Sequence, residues 1–258
     1  LADTNVSALS AEIRYFLNSY CKSVQKTLET PAKSILLSGS LPLQCYDDEK
    51  SDIDIAVLLE KPLTRVEISR LKKLHEQMDR TVNYRMDILF LLKIKSEIYN
   101  CIQFQYSSGN ISCERKELRI FEWLTICHNH ILMTGEIVDV DSSNTVLLKD
   151  FAGRELNRQL KKYSEASIRN SDFFFSESIS QLARTLYTME TGKIESKLRA
   201  CLWLCDREPA WKKTVLEAIR LREGSIKKSF YSSTLQWKKD IFQFYHDILA
   251  KLNHRESC

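Results

Sequence analysis

Residues that make tight turns are scarce in this chain. Its 258 residues include 6 Gly and 4 Pro, too few for the repeated turns of an all-β sandwich, so long helices must carry much of the fold. No stretch approaches the roughly 18 uncharged apolar residues that a membrane span requires. A dominant charge is also missing: 38 Lys+Arg against 34 Asp+Glu leave +4, which argues against long one-signed tails and extended disorder. The opening residues, LADTNVSALSAEIRYF, lack a basic start followed by an apolar run, so no secretory leader is expected. The 8 Cys lie scattered at 21, 45, 101, 113, 127, 201, 205 and 258 with no C-x₂-C pair. A chain of this length does not need stapling, so reduced thiols and a cytoplasmic setting are expected.

What is present is a 43% hydrophobic, 10% aromatic globular composition, enough for two ordinary cores. The two halves differ in pattern. Up to about residue 95 short β-rich runs alternate with helical ones, and from about 143 nearly everything repeats at helical period. The reading is an α+β chain with a small mixed sheet flanked by helices in residues 1–140 and an all-helical bundle in 141–258. Leu9, Ile13, Phe16, Leu17, Tyr20 and Val24 are spaced by three and four, which predicts a helix over 8–28. Strands are predicted at 34–38, 52–59 and 85–92, with a helix after Pro62 through Met78. Leu118–Leu132 reads as helix, Ser107–Asn110 as a turn, and Gly135–Asn144 as the connector. The rest of 95–115 shows no clear period. Helices follow at 145–163, 173–191, 194–205, 210–222 and 234–252.

In Ser51-Asp52-Ile53-Asp54-Ile55 the carboxylates are two residues apart, so a strand places both on one face and the isoleucines on the other. Two carboxylates about 7 Å apart on an otherwise apolar strand repel and resist desolvation, which calls for a cation between them. Hard divalent ions such as Mg²⁺ are held by one or two carboxylates together with substrate phosphates. Asp87 interrupts a second apolar strand, and adjacency would bring it to the same cluster. Gly39-Ser40 closes the first strand. There the missing side chain lets backbone N–H groups approach a phosphate, and the hydroxyl adds a donor.

Strand, Gly-Ser, spacer, Asp-h-Asp-h (h for apolar) and then h-Asp-h resembles the nucleotidyltransferase superfamily that includes DNA polymerase β. The chain is further similar to the aminoglycoside adenylyltransferases that modify streptomycin and spectinomycin, through Leu182-Ala183-Arg184-Thr185-Leu186-Tyr187, Thr191-Gly192-Lys193-Ile194-Glu195-Ser196-Lys197 and Ala200-Cys201-Leu202-Trp203. That resemblance implies AMP transfer from ATP to an acceptor hydroxyl with release of pyrophosphate. It implies Gly39, Ser40 and Ser51 on the ATP phosphates, and Asp52 and Asp54 as Mg²⁺ ligands. Asp87 stands where these enzymes usually have Glu, as metal ligand or general base. Arg184 and Lys197 match basic residues that hold ATP from the helical domain, and Tyr245 matches an aromatic on the nucleotide, although its place on a helix with Trp237, Phe242 and Phe244 suits core packing equally. A monomer is implied, acting on a small, hydroxylated, cationic acceptor without membrane or nucleic acid.

Streptomycin-modifying members carry a Trp and nearby acids just before the Arg-bearing helix, whereas Ser164–Ser176 has no Trp and only Glu165 and Asp172. A spectinomycin-type acceptor is therefore favoured. The alternatives are AMP transfer to a protein or an RNA end, or a nucleotide-binding module without turnover. The doublets Lys161-Lys162, Lys212-Lys213, Lys227-Lys228 and Lys238-Lys239 would suit a nucleic-acid groove, but solvated helix faces place doublets in the same way. His75 and His246 read as structural, and Cys201 and Cys205 as buried thiols.

Overall fold

A computed structural model describes residues 9–49, 51–79, 84–95, 98–107, 110–136, 145–225 and 228–256. The chain divides into two compact units, Leu1–Ser142 and Ser143–Cys258. The architecture is mixed α/β, with one six-stranded mixed sheet and eight α-helices among the described residues.

The first unit opens with α1 (Ala11–Thr27), capped by the Ser10 hydroxyl accepting from the Ile13 N–H. It continues through β1 (Ser34–Ser38), β2 (Ile53–Leu59), α2 (Arg65–Asp79), β3 (Met86–Lys95), β4 (Ile98–Ser107), β5 (Asn110–Arg119), α3 (Ile120–His128) and β6 (Ile131–Gly135). Thr64 and Glu67 start α2 with a reciprocal capping box: the Glu67 carboxylate accepts from the Thr64 N–H, and the Thr64 hydroxyl accepts from the Glu67 N–H. The sheet order is β5-β4-β3-β2-β1-β6. β2 and β3 are parallel, joined across α2, and the other neighbours are antiparallel.

Period-two alternation splits the unit into two cores. Ile35, Leu37, Ile53, Ile55, Val57, Ile88, Phe90 and Phe104 pack with α1 and α2 on one face. Leu36, Ala56, Leu91 and Cys101 pack with Trp123, Ile126 and Cys127 of α3 on the other. His75 is buried on the first side, its Nε2 3.1 Å from the Tyr20 hydroxyl and its ring 4.8 Å from that of Phe104. Burial lowers the His75 pKa to about 4.

Two stretches differ from the sequence reading. Residues 98–119, largely without visible period, form the β4–β5 hairpin. β4 contributes Cys101 to one core and Phe104 to the other and buries the polar Gln103, which erases the alternation a half-buried strand would show. β5 is the edge, and charges there discourage pairing with another chain. The helix expected over 118–132 is only nine residues, Ile120–His128, because Leu118 still belongs to β5 and Ile131 onward pairs with β1 as β6. Ser108 and Gly109 of the expected turn, and residues 137–144 of the expected connector, lie outside the described residues.

The second unit comprises α4 (Thr145–Ser164), α5 (Asp172–Thr191), α6 (Lys197–Arg207), a 3₁₀ turn at Pro209–Trp211, α7 (Lys212–Arg222) and α8 (Thr234–Glu256). Ser171 and Ser196 cap α5 and α6 through their hydroxyls, and Gly192 ends α5 at φ +71°. Leu156, Leu160, Phe175, Ile179, Leu182, Leu204, Val215, Trp237, Ile241 and Phe244 form one core. Cys201 and Cys205 are free thiols buried within it. Glu217 is buried midway along α7, and its carboxylate accepts from Arg220, the Ser229 hydroxyl and the Phe230 N–H.

Candidate active site

The carboxylates meet at one end of the sheet. Because β1 is antiparallel to β2, and β2 parallel to β3, the end of β1 lies beside the starts of β2 and β3. Ser38 is opposite Asp54, and Asp54 is opposite Asp87. Neighbouring strands are about 4.8 Å apart and paired residues share a face, so Asp54 and Asp87 are side by side. Both are half-buried, on the face that carries Ala56, Leu91 and α3.

Asp52 is placed differently. β2 begins at Ile53, so Asp52 precedes the strand, is exposed, and has one oxygen 3.3 Å from Arg85 Nε. Arg85 also donates to the Glu49 carbonyl. The expected three-carboxylate set is therefore not gathered into one cage: among the described residues no group of three or more His, Cys, Asp or Glu is placed to hold a metal ion. Asp54 and Asp87 are paired, and Asp52 stands on an arginine.

Gln103 fixes Asp87. From β4 its amide nitrogen donates to both oxygens, at 2.6 and 2.8 Å. Each carboxylate oxygen has a second acceptor site, so a cation or a proton can still be received on the open side. Nothing in the sequence singled out Gln103; the cue is a polar side chain only 4% exposed in a strand whose neighbours are apolar.

Gly39 has φ +72°, and a Cβ added there would come 2.7 Å from the Asp54 carboxyl carbon and closer still to one of its oxygens. The turn therefore needs glycine twice over, for its left-handed backbone and for the space Asp54 fills. Asn129, just past α3, donates to the Gly39 carbonyl at 3.5 Å. The next hydroxyl, Ser40 Oγ, is buried without a hydrogen-bond partner, an arrangement that costs free energy unless a ligand supplies one. Ser51 stands apart from this pattern: its hydroxyl accepts from the Asp47 N–H at 3.1 Å and its own N–H donates to the Asp47 carbonyl, closing the loop ahead of β2.

A paired carboxylate site beside an orphaned hydroxyl and a glycine turn fits Mg²⁺ in the way that ion is usually held, by one or two carboxylates with phosphate oxygens and water completing the shell.

In the second unit Arg184 lies on α5, half-buried, and Lys197 is the first residue of α6. Lys197 Nζ is hydrogen-bonded to Glu177 Oε1, and Arg222 Nη1 is 2.6 Å from Glu177 Oε2. Gln181 adds a donor to Oε1. Burial would raise the Glu177 pKa, but Lys197 and Arg222 outweigh it and hold the carboxyl below the ordinary range. Burial pushes the Lys197 ammonium down, and the nearby charges of Arg222 and Arg184 add to this against the pull of Glu177. Arg222 did not stand out in the sequence, since a basic residue in the last turn of a helix is commonplace.

Tyr245 belongs to the core. It is 1% exposed, its hydroxyl is 2.5 Å from that of Ser178, and Tyr163, Phe242 and Phe244 surround its ring. Burial pushes its pKa well up. The ring has no open face for the nucleotide that the resemblance placed there. The lysine doublets also serve packing: Lys238 is bonded to Asp172 and the Asn170 carbonyl, and Lys213 sits over the Tyr231 ring.

Residues 155–236 match the family model described as aminoglycoside adenylyltransferase, C-terminal domain. The match covers about a third of the chain, within the second unit, and supports a relation of that unit to this family. It takes in Glu177, Arg184, Lys197 and Arg222 and stops short of Tyr245. No curated protein matches the chain. No helix among the described residues is long and apolar enough to cross a membrane.

Proposed function

We propose that the chain transfers AMP from ATP to a hydroxyl of an aminocyclitol or aminoglycoside antibiotic, of spectinomycin type rather than streptomycin, in a Mg²⁺-dependent reaction that releases pyrophosphate. The observation that carries this reading is the in-register Asp54–Asp87 pair set against the Gly39-Ser40 turn. The family match in the second unit supports the acceptor class.

Asp54 and Asp87 would hold the divalent ion, with Asp52 joining once it leaves Arg85. The ion supplies neutralisation of the nucleotide phosphates and of the charge that develops on the leaving oxygen. The Gly39 turn and the Ser40 hydroxyl receive a phosphate oxygen, which satisfies the orphaned donor. The acceptor hydroxyl oxygen bonds to the α-phosphorus as the bond from that phosphorus to the bridging oxygen breaks. Its proton passes to the open side of the Asp87 carboxylate, and pyrophosphate departs. Gln103 keeps Asp87 oriented throughout, as a positioning residue.

The test is pyrophosphate release from Mg·ATP against spectinomycin, streptomycin and further aminoglycosides, with Asp54→Asn as control. The expected result is release with a spectinomycin-type acceptor that falls at least about 10²-fold in the control, the scale on which electrostatic stabilisation and positioning act. Release that persists in Asp54→Asn overturns the site. Release only with a protein or RNA acceptor overturns the acceptor class.

A further inference from the structure

Glu177 takes two cations from different helices, one on each carboxylate oxygen: Lys197 from the first turn of α6 and Arg222 from the last turn of α7. By contrast, Arg220 on Glu217 and Lys251 on Glu208 are pairs of one cation with one carboxylate. The cluster thus carries more positive than negative charge. It lies at the N-terminus of an 11-residue helix, whose first-turn amides and dipole add to the positive potential.

We propose that Lys197 and Arg222 form a polyphosphate seat, and that Glu177 is its resident placeholder, displaced when the nucleotide arrives. The proposal rests on the adenylyl-transfer reading for the identity of the anion, and it adds Arg222 as a binding residue and Glu177 as a competitor.

The geometry of the carboxylate supports the second role. Its two oxygens receive an ammonium, a guanidinium and the Gln181 amide, a donor set that equally suits the non-bridging oxygens of a phosphate. In the absence of nucleotide this keeps two long cationic side chains converged rather than splayed into water. The side chains of Lys197, Glu177 and Arg222 are 22%, 28% and 37% exposed, open enough for an anion to enter and buried enough for charge to count. Burial is what chiefly lowers the Lys197 ammonium, the charges of Arg222 and Arg184 add to it, and one carboxylate does not fully balance them. A ligand with several negative charges does so better.

Displacement has a measurable signature. A resident anion that occupies the cations most of the time weakens the apparent affinity for an incoming anion by the fraction of time the seat is clear. Removing its charge must therefore tighten binding, the reverse of what deleting a structural ion pair or a ligand contact does.

The experiment is binding of inorganic tripolyphosphate and of ATP, by calorimetry without acceptor, to the wild-type chain and to the Glu177→Gln, Arg222→Gln and Arg222→Ala variants. Circular dichroism melts check each fold. Glu177→Gln is expected to bind tripolyphosphate about fivefold or more tighter. Both Arg222 variants are expected to bind about tenfold more weakly, the size of one lost charge-assisted hydrogen bond. The gain in Glu177→Gln is a result that a misfolded protein cannot mimic. Unchanged or weakened binding in Glu177→Gln, or wild-type binding in a folded Arg222 variant, overturns the proposal. Turnover of an antibiotic with an ATP KM that Arg222→Gln leaves untouched fells the seat and keeps adenylyl transfer. Tripolyphosphate binding tightened by Glu177→Gln in a protein that adenylylates nothing keeps the seat and fells adenylyl transfer.

Discussion

Gly39→Ala tests the heart of the carboxylate site through stability as well as activity. Two costs add. The backbone sits at φ +72°, where a Cβ costs about 1–2 kcal/mol. The Cβ also meets Asp54, 2.7 Å from its carboxyl carbon, and forcing an extra methyl into a filled space costs about 1–3 kcal/mol. The sum, about 2–5 kcal/mol, corresponds to a fall in melting temperature on the order of 10 °C for a chain of this size. Part of this cost is relieved if the carboxylate rotates away, and that movement carries Asp54 off the site, so pyrophosphate release should collapse together with stability. A double variant separates the two terms. In Gly39→Ala/Asp54→Ala the carboxyl group that obstructs most is gone, leaving a tight 3.0 Å approach to the Cβ of residue 54 and the backbone cost, so the pair should show a coupling of about 1–3 kcal/mol. Differential scanning calorimetry on the four proteins of the cycle measures it. A melting temperature for Gly39→Ala within about 2 °C of wild type, or coupling near zero, would refute the contact between this turn and the carboxylate.

Other consequences are checked as readily. Gln103→Met removes the amide that holds both Asp87 oxygens, and loss of such a supporting partner should lower pyrophosphate release about 10–100-fold, with a melting temperature that separates this from unfolding. Tyr245→Phe deletes the hydrogen bond to Ser178 and should cost about 0.5–1.5 kcal/mol in urea denaturation while leaving the ATP KM unchanged; a raised KM would return the ring to the nucleotide site. His75 is held neutral, with its folded pKa lowered to about 4 against about 6.5 unfolded. The unfolded chain therefore binds the extra proton first. The stability linked to this group is complete above pH 6.5 and is lost as pH falls toward 4, by roughly 3 kcal/mol. His75→Phe should flatten that part of the stability profile, and an unchanged acid limb would place the sensitivity elsewhere.

How far these features could be read in advance depended on whether a residue's role left a local pattern. The Asp-Ile-Asp alternation located β2 and its buried isoleucines because period two is local, and the spacing in α1 did the same for its buried face. The boundary of β2 was not local: Asp52 falls outside the strand because Arg85 draws it aside, a partner 33 positions away. β4 was obscure because it faces two cores at once, and α3 was read too long because apolar β6 follows it within three residues. The freedom of Gly39 is legible in its lack of a side chain, but the close approach of Asp54 that makes glycine necessary depends on strand register. Tyr245 shows the opposite failure. An aromatic among Trp237, Phe242 and Phe244 carries the pattern of a core, and here the core reading holds.

The reversal of strand direction between β1 and β2, followed by the parallel step to β3, has a consequence for how such a protein diversifies. Gly39, Asp54 and Asp87 converge where the chain leaves one strand and enters two others. Residues 40–49, which follow β1, open onto that convergence, and their length is not set by any strand's register. Surface loops accept insertions and replacements at little cost to the scaffold. That loop can thus change in length and sequence while Asp54 and Asp87 stay fixed by strand register, so what is presented beside the carboxylate pair can vary without disturbing the pair.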